Sequence, residues 1–197
     1  MGVDSLKFVV TTDKLVDSLK VVFASFDSTA LVADNDYMMR TDTLCMTSLT
    51  DTIKIAVQGD RKVELNELIR VSLTEIIPNN RTVVFADSEG IGTIMNDDTT
   101  SITIRDTMVV ERDGWDSHLK FVIASDLEVD TMGLVYMTFD STATLADDDY
   151  VMASDTLWTS GFGDTISVRV NGDMIVENDE FIKIALKEIL PLSLIHI

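Results

Sequence analysis

Apolar and polar residues alternate with a period of two along most of this chain. Ile166, Val168 and Val170 form one such run, with Ser167 and Arg169 between them. That spacing puts the apolar side chains on one face of an extended strand, a conformation β-branched residues favour. From residue 101 onward the pattern predicts strands at 101–110, 118–125, 134–139, 149–152, 155–158, 165–170 and 181–189. Turn-forming residues separate them at short intervals, and no useful stretch shows helical periodicity. Seven short strands in about one hundred residues predict an antiparallel β-sandwich.

The first half of the chain carries the same pattern. An ungapped offset of 113 residues places Asp60 on Asp173 and Leu6-Lys7-Phe8-Val9 on Leu119-Lys120-Phe121-Val122. Asp27-Ser28-Thr29-Ala30 falls on Asp140-Ser141-Thr142-Ala143, Asp36-Tyr37 on Asp149-Tyr150, and Asp42-Thr43-Leu44 on Asp155-Thr156-Leu157. Asp51-Thr52-Ile53 falls on Asp164-Thr165-Ile166, and the register reaches Pro78 on Pro191. Chance does not keep an ungapped register over that span, so the chain reads as two copies of one unit. Copy two has an upstream strand, 101–110, whose counterpart would precede residue 1. Copy one has a downstream strand, 90–95, whose counterpart would follow residue 197. Each copy is therefore expected to lack one edge strand. The expected domains are 1–99 and 100–191, joined by Thr99 and Thr100. Residues 192–197 fit nothing in the repeat and read as an artefactual tail, so His196 gets no functional weight.

Charge narrows the function. Among 197 residues the formal net charge is -19, while apolar residues at 46% are ordinary for a globular chain. Such a balance disfavours nucleic acid and anionic lipid as partners. The single cysteine, Cys45, excludes an intrachain disulfide. No apolar run approaches the roughly 20 residues of a membrane-spanning helix, and the N-terminus does not read as a signal peptide. No Ser/His/Asp triad or glycine-rich phosphate loop can be assembled, so no enzyme is expected.

The acid is clustered. Asp173, Glu177, Asp179 and Glu180 fall within eight residues directly after the Ile166–Val168–Val170 run. Copy one repeats the phrase with Asp60, Glu64 and Glu67. Calcium takes roughly six to eight oxygens from carboxylates, carbonyls and water at about 2.3–2.6 Å. Carboxylates crowded at one tip repel one another unless a cation sits between them. Oxygen donors with no neighbouring His or Cys point away from zinc.

The order D-S-T-A, D-Y, V-x-G-D-x-x-V-E-x-x-E and G-T-I-x-N-D-D resembles the Calx-beta domain, a module of sodium–calcium exchangers and long extracellular adhesion proteins. The resemblance covers nearly the whole chain as two incomplete copies. It implies an all-β fold of two tandem antiparallel, immunoglobulin-like β-sandwiches, each of seven strands when complete. It also implies calcium ligands gathered at one tip: Asp36, Asp60, Glu64, Glu67, Asp97 and Asp98 in copy one, and Glu111, Asp149, Asp173, Glu177 and Glu180 in copy two. The main-chain carbonyls of Lys62 and Ile175 could add oxygens. Gly59 and Gly172 stand where the exchanger pattern has a further Asp. The implied setting is an extracellular or membrane-attached parent protein, with neighbouring repeats and cell-surface proteins as partners and calcium stiffening the array. The competing expectation is a structural spacer whose acid serves only solubility. Tyr37 and Tyr150 are expected to be core or corner residues, and Asp27 and Asp140 turn formers.

Overall fold

The computed structural model describes residues 3–77 and 83–191. The expected tail at 192–197 and the register at Pro78 lie outside the described residues. The chain divides into two compact units, one of residues 1–60 and 65–97 and the other of 61–64 and 98–197.

The first unit contains β1 (Val3–Thr11), β2 (Leu19–Asp27), β3 (Thr41–Met46), β4 (Thr50–Gln58), β5 (Glu67–Ile77) and β6 (Glu89–Ile94). They form two antiparallel sheets, β1-β4 and β3-β2-β5-β6. Alternate residues of both sheets meet in one core: Phe23 from β2, Ile53 and Ile55 from β4, and Ile69 and Val71 from β5, with Ala30 and Tyr37. Leu6 and Phe8 of β1 pack against it. Burying each large side chain contributes about 1.5–3 kcal/mol. The alternation of the sequence is thus the division between core and solvent.

The second unit contains β7 (Ile102–Ile104), β8 (Ser117–Phe139), β9 (Ser154–Val170) and β10 (Lys183–Pro191). β8 pairs with β7, β9 and β10. Phe121, Ile123, Leu134, Ile166 and Val168 repeat the core, with Ala143 and Tyr150.

Two expected boundaries vanish here. The strands expected at 118–125 and 134–139 are one strand, β8, and those at 155–158 and 165–170 are one strand, β9. In copy one the corresponding pairs stay separate as β1 and β2, and as β3 and β4. The sequence difference sits in the connections. Thr47-Ser48-Leu49-Thr50 corresponds to Ser160-Gly161-Phe162-Gly163, where Gly161 and Gly163 adopt φ of 73° and 134°. Those glycines, with register breaks between Ala124 and Met132, carry the strands through the connection without ending them.

Three other expectations change. The strand expected at 101–110 is only Ile102–Ile104, beyond which Arg105 N–H donates to the Val122 carbonyl at 3.0 Å. The strand at 149–152 is an isolated bridge between Tyr150 and Val170. β10 starts at Lys183, since Phe181 instead uses its carbonyl to accept Ala143 N–H at 3.2 Å.

A Cβ on Gly163 would collide with the Ile123 carbonyl, whereas one on Gly161 meets nothing. Gly163→Ala should therefore destabilise the second unit by about 2–3 kcal/mol and Gly161→Ala by about 1–2 kcal/mol, read from urea midpoints. Equal losses would show that the close carbonyl does not matter.

Candidate metal centre

The acidic tip of the second unit is built on a buried corner. The Tyr150 hydroxyl donates to Asp140 Oδ1 at 2.7 Å, and Leu145 N–H donates to the same oxygen at 3.2 Å. Burial and then the Asp140 hydrogen bond push the Tyr150 hydroxyl up to about 12, so it remains a donor. Copy one repeats the corner, with Tyr37 donating to Asp27 Oδ1 at 2.7 Å and Val32 N–H at 3.2 Å. The tyrosines are corner residues and the aspartates turn formers, as their sequence positions suggest.

That corner sets the next carboxylate. Asp149 Oδ2 accepts Thr144 N–H at 2.6 Å, and the Asp149 carbonyl accepts Asn171 N–H at 2.9 Å. Asn171 Nδ2 also donates to the Asp148 carbonyl at 2.7 Å. The loop before Tyr150 is thereby lashed to the end of β9. Asp36 has the same restraints, accepting Leu31 N–H on Oδ2 at 2.7 Å and Gln58 N–H on its carbonyl at 2.9 Å.

The acidic phrase follows β9 directly. Gly172 packs against the carbonyls of Arg112 and Trp115, where a Cβ would not fit. The glycine standing in place of an Asp thus lets two backbones approach. Glu111 Oε1 accepts Asp173 N–H at 3.2 Å, and Asp173 Oδ1 accepts Ile175 N–H at 2.6 Å.

Asp149, Glu177 and Glu180 each offer an oxygen within 4.8 Å of the others'. Both glutamates are held above the ordinary value of 4.5. For Glu177 the causes are desolvation, then the charges of Asp173, Asp149, Glu111 and Asp147. For Glu180 they are desolvation, the charge of Asp149 and a hydrogen bond to it, then Glu177 and Asp147. In addition, Asn171 Oδ1 is buried with no hydrogen-bond donor among the described residues. This donor set, oxygens alone and short of protons or cations, fits a hard divalent ion.

Of the copy-one residues, Asp36 and Glu67 lie in the first compact unit, while Glu64 lies with Lys62 in the short segment 61–64 of the second. There Lys62 Nζ pairs with Glu64 Oε1 at 2.5 Å. The counterpart of Lys62 is Ile175, so the second tip has no cation at that position. Among the described residues, Asp60, Asp97 and Asp98 join no such group of three. Glu111 and Asp173 stand beside the second unit's trio and act on Glu177 through their charge. Asp147 was missed by sequence reasoning. The signal was the run Asp147-Asp148-Asp149, of which only the residue before Tyr150 was singled out.

No family model matches the chain, and no curated protein matches it. Among solved structures it is similar to CBD12 from CALX1.2, at 20% identity and a TM-score of 0.42, covering 96% of this chain and 76% of that one. It is likewise similar to the calcium binding domain CBD12 of CALX1.1, at 18% identity and a TM-score of 0.41, with the same coverage.

The raised glutamates carry a pH signature. Above 4.5 the folded tip retains protons that the unfolded chain has released, so stability falls as pH rises through that window. Glu177→Gln with Glu180→Gln should flatten this part of the profile, measured as urea midpoints in chelator at about pH 5 and about pH 7. An unchanged slope would place its origin elsewhere.

Proposed function

We propose that this chain is a calcium-binding β-sandwich repeat protein whose second unit holds the ion through Asp149, Glu177 and Glu180. The convergence of three oxygens on one point, with both glutamates biased toward protonation by desolvation and then by their acidic neighbours, carries this reading. Glu111, Asp147 and Asp173 would add negative potential around the trio, and Asn171 Oδ1 is a neutral oxygen with no hydrogen-bond partner among the described residues. A calcium ion bound there would take over the role of the retained protons and draw the phrase after β9 toward the loop before Tyr150. Sites of few carboxylates on exposed loops suit an extracellular or membrane-attached parent, where calcium modules work at about 10⁻⁴–10⁻³ M.

A second reading applies to the first copy. The Lys62–Glu64 ion pair already offsets charge at that tip, which favours a repeat that holds its shape with little help from calcium.

Calcium at ten times its dissociation constant stabilises the folded form by about 1.4 kcal/mol, a rise in Tm of roughly 6–11 °C for a domain of this size. Magnesium, which demands tighter octahedral geometry, should raise Tm less. Glu177→Gln with Glu180→Gln should abolish most of the calcium response, and Glu64→Gln with Glu67→Gln a smaller part. No heat on calorimetric titration and no thermal shift at about 5 mM calcium would sink the proposal, given the affinities such modules have.

Calcium must displace the retained protons, so apparent affinity should weaken as pH falls toward 4.5. Titrations at about pH 7 and about pH 5.5 check this; equal affinities would remove Glu177 and Glu180 from the ligand set.

A further inference from the structure

Asn171 is followed by Gly172, and no other asparagine of the sequence precedes a glycine. Copy one has Gln58-Gly59 at the equivalent place. An asparagine beside a glycine carries latent chemistry, because glycine has no side chain to shield its own backbone nitrogen and turns freely about φ. The Gly172 nitrogen attacks Asn171 Cγ: the N–Cγ bond forms, the Cγ–Nδ2 bond breaks, and Nδ2 leaves as ammonia with the Gly172 amide proton. The cyclic imide that results then takes up a water molecule. Opening at Cγ leaves aspartate at position 171. Opening at the backbone carbonyl leaves isoaspartate, in which the main chain runs through Cβ and Cγ.

The fold restrains the atoms of this step. Asn171 N–H donates to the Asp149 carbonyl at 2.9 Å. Nδ2, the leaving group, donates to the Asp148 carbonyl at 2.7 Å and to Asp148 Oδ1 at 3.1 Å. Gly172 packs so tightly that a Cβ there would sit 2.0 Å from the Arg112 carbonyl oxygen and 2.4 Å from that of Trp115. Asp173 extends the restraint, its N–H donating to Glu111 Oε1 at 3.2 Å and its carbonyl accepting Gly114 N–H at 3.3 Å. The attacking nitrogen and the carbon it must reach thus lie on backbone held from both sides, which opposes the approach the reaction needs. Charge opposes it too. Asn171 Oδ1, which becomes negative during attack, is buried with no hydrogen-bond donor among the described residues. The carboxylates of Asp148, Glu111 and Asp173 disfavour loss of the Gly172 amide proton.

We propose that Asn171 is a self-modification site held in check by the closed acidic tip. Opening of the segment after β9 releases Gly172 from the carbonyls of Arg112 and Trp115 and lets the ring close. The change runs one way. Aspartate at 171 sets acceptor oxygens against the Asp148 carbonyl and carboxylate, where Nδ2 supplied the hydrogens. Isoaspartate adds a backbone carbon next to Gly172, where a single Cβ already does not fit. Either product unties the Asp149 loop from the end of β9, so the tip does not re-form. The site therefore records how long the tip has stood open, and it does so without calcium.

The test incubates the full chain in mildly alkaline buffer with chelator, native or in denaturing urea, and follows amide-to-acid conversion by peptide mass spectrometry. Trypsin releases residues 170–183 as one peptide, in which Asn178, followed by Asp179, is the internal standard. In urea Asn171 should convert at least about tenfold faster than Asn178, for lack of a shielding side chain on Gly172. In native buffer it should convert at least about tenfold more slowly than in urea, since the reaction waits on local opening. Asp148→Gly keeps the φ of 67° without strain and deletes the carboxylate beside Nδ2. It should raise the native rate several-fold and leave the urea rate unchanged, read at a temperature where circular dichroism shows both chains folded. Asn171→Asp, made directly, should lower Tm. Equal native and urea rates, or an Asn171 no faster than Asn178 in urea, would overturn the proposal. So would a native rate that Asp148→Gly leaves unchanged, or an Asn171→Asp chain with the Tm of the parent, since the modified tip would then close again.

Discussion

A buried tyrosine hydroxyl donating to an aspartate is the contact on which each unit's tip depends. Tyr150 buries its ring beside Ala143 and Ile166 while its polar end finds a partner in Asp140. Once that bond forms, the loop from 144 to 149 has one path, and Asp149 emerges with one oxygen bound to Thr144 N–H. Tyr37 and Asp27 impose the same path on Asp36. Two motifs that look unrelated along the chain, D-S-T-A and D-Y, are the two halves of one device.

Electrostatics then separates the copies. The second unit brings Asp149, Glu177 and Glu180 together, and copy one places Lys62 where copy two has Ile175. The lysine offsets charge directly. The second tip holds Glu177 and Glu180 above their usual range, through desolvation first and then the charges of nearby acids such as Asp149 and Asp147.

Much of this was legible in the sequence. The alternation identified the core residues because a strand's period of two leaves no freedom about which face is buried. The fixed offset identified the copies, and the acidic phrase supplied Glu177 and Glu180 of the second unit's trio. What was not legible depends on backbone geometry. Gly161 and Gly163 read as an ordinary turn, yet their positive φ carries β9 onward. Gly172 looked like a missing ligand, whereas its lack of a side chain lets the carbonyls of Arg112 and Trp115 come close. Asp147, besides accepting the Thr144 hydroxyl, acts through its charge on residues about thirty positions away in the chain, a relation no local motif encodes.

The continuity of β8 and β9 also bears on how the second unit assembles. Their pairing begins at Met137↔Ser154, next to the corner loop, and extends to Ser117↔Val170. The main loop closure is therefore made at a single turn, and beyond the short register breaks around Val129 the pairing resumes between the same two strands. In the first unit the equivalent hairpin stops at Leu19↔Met46, and β1 must find β4 afresh at Thr11↔Thr50. Two glycines thus let one copy carry the same two strands across its register breaks, while its twin must start twice.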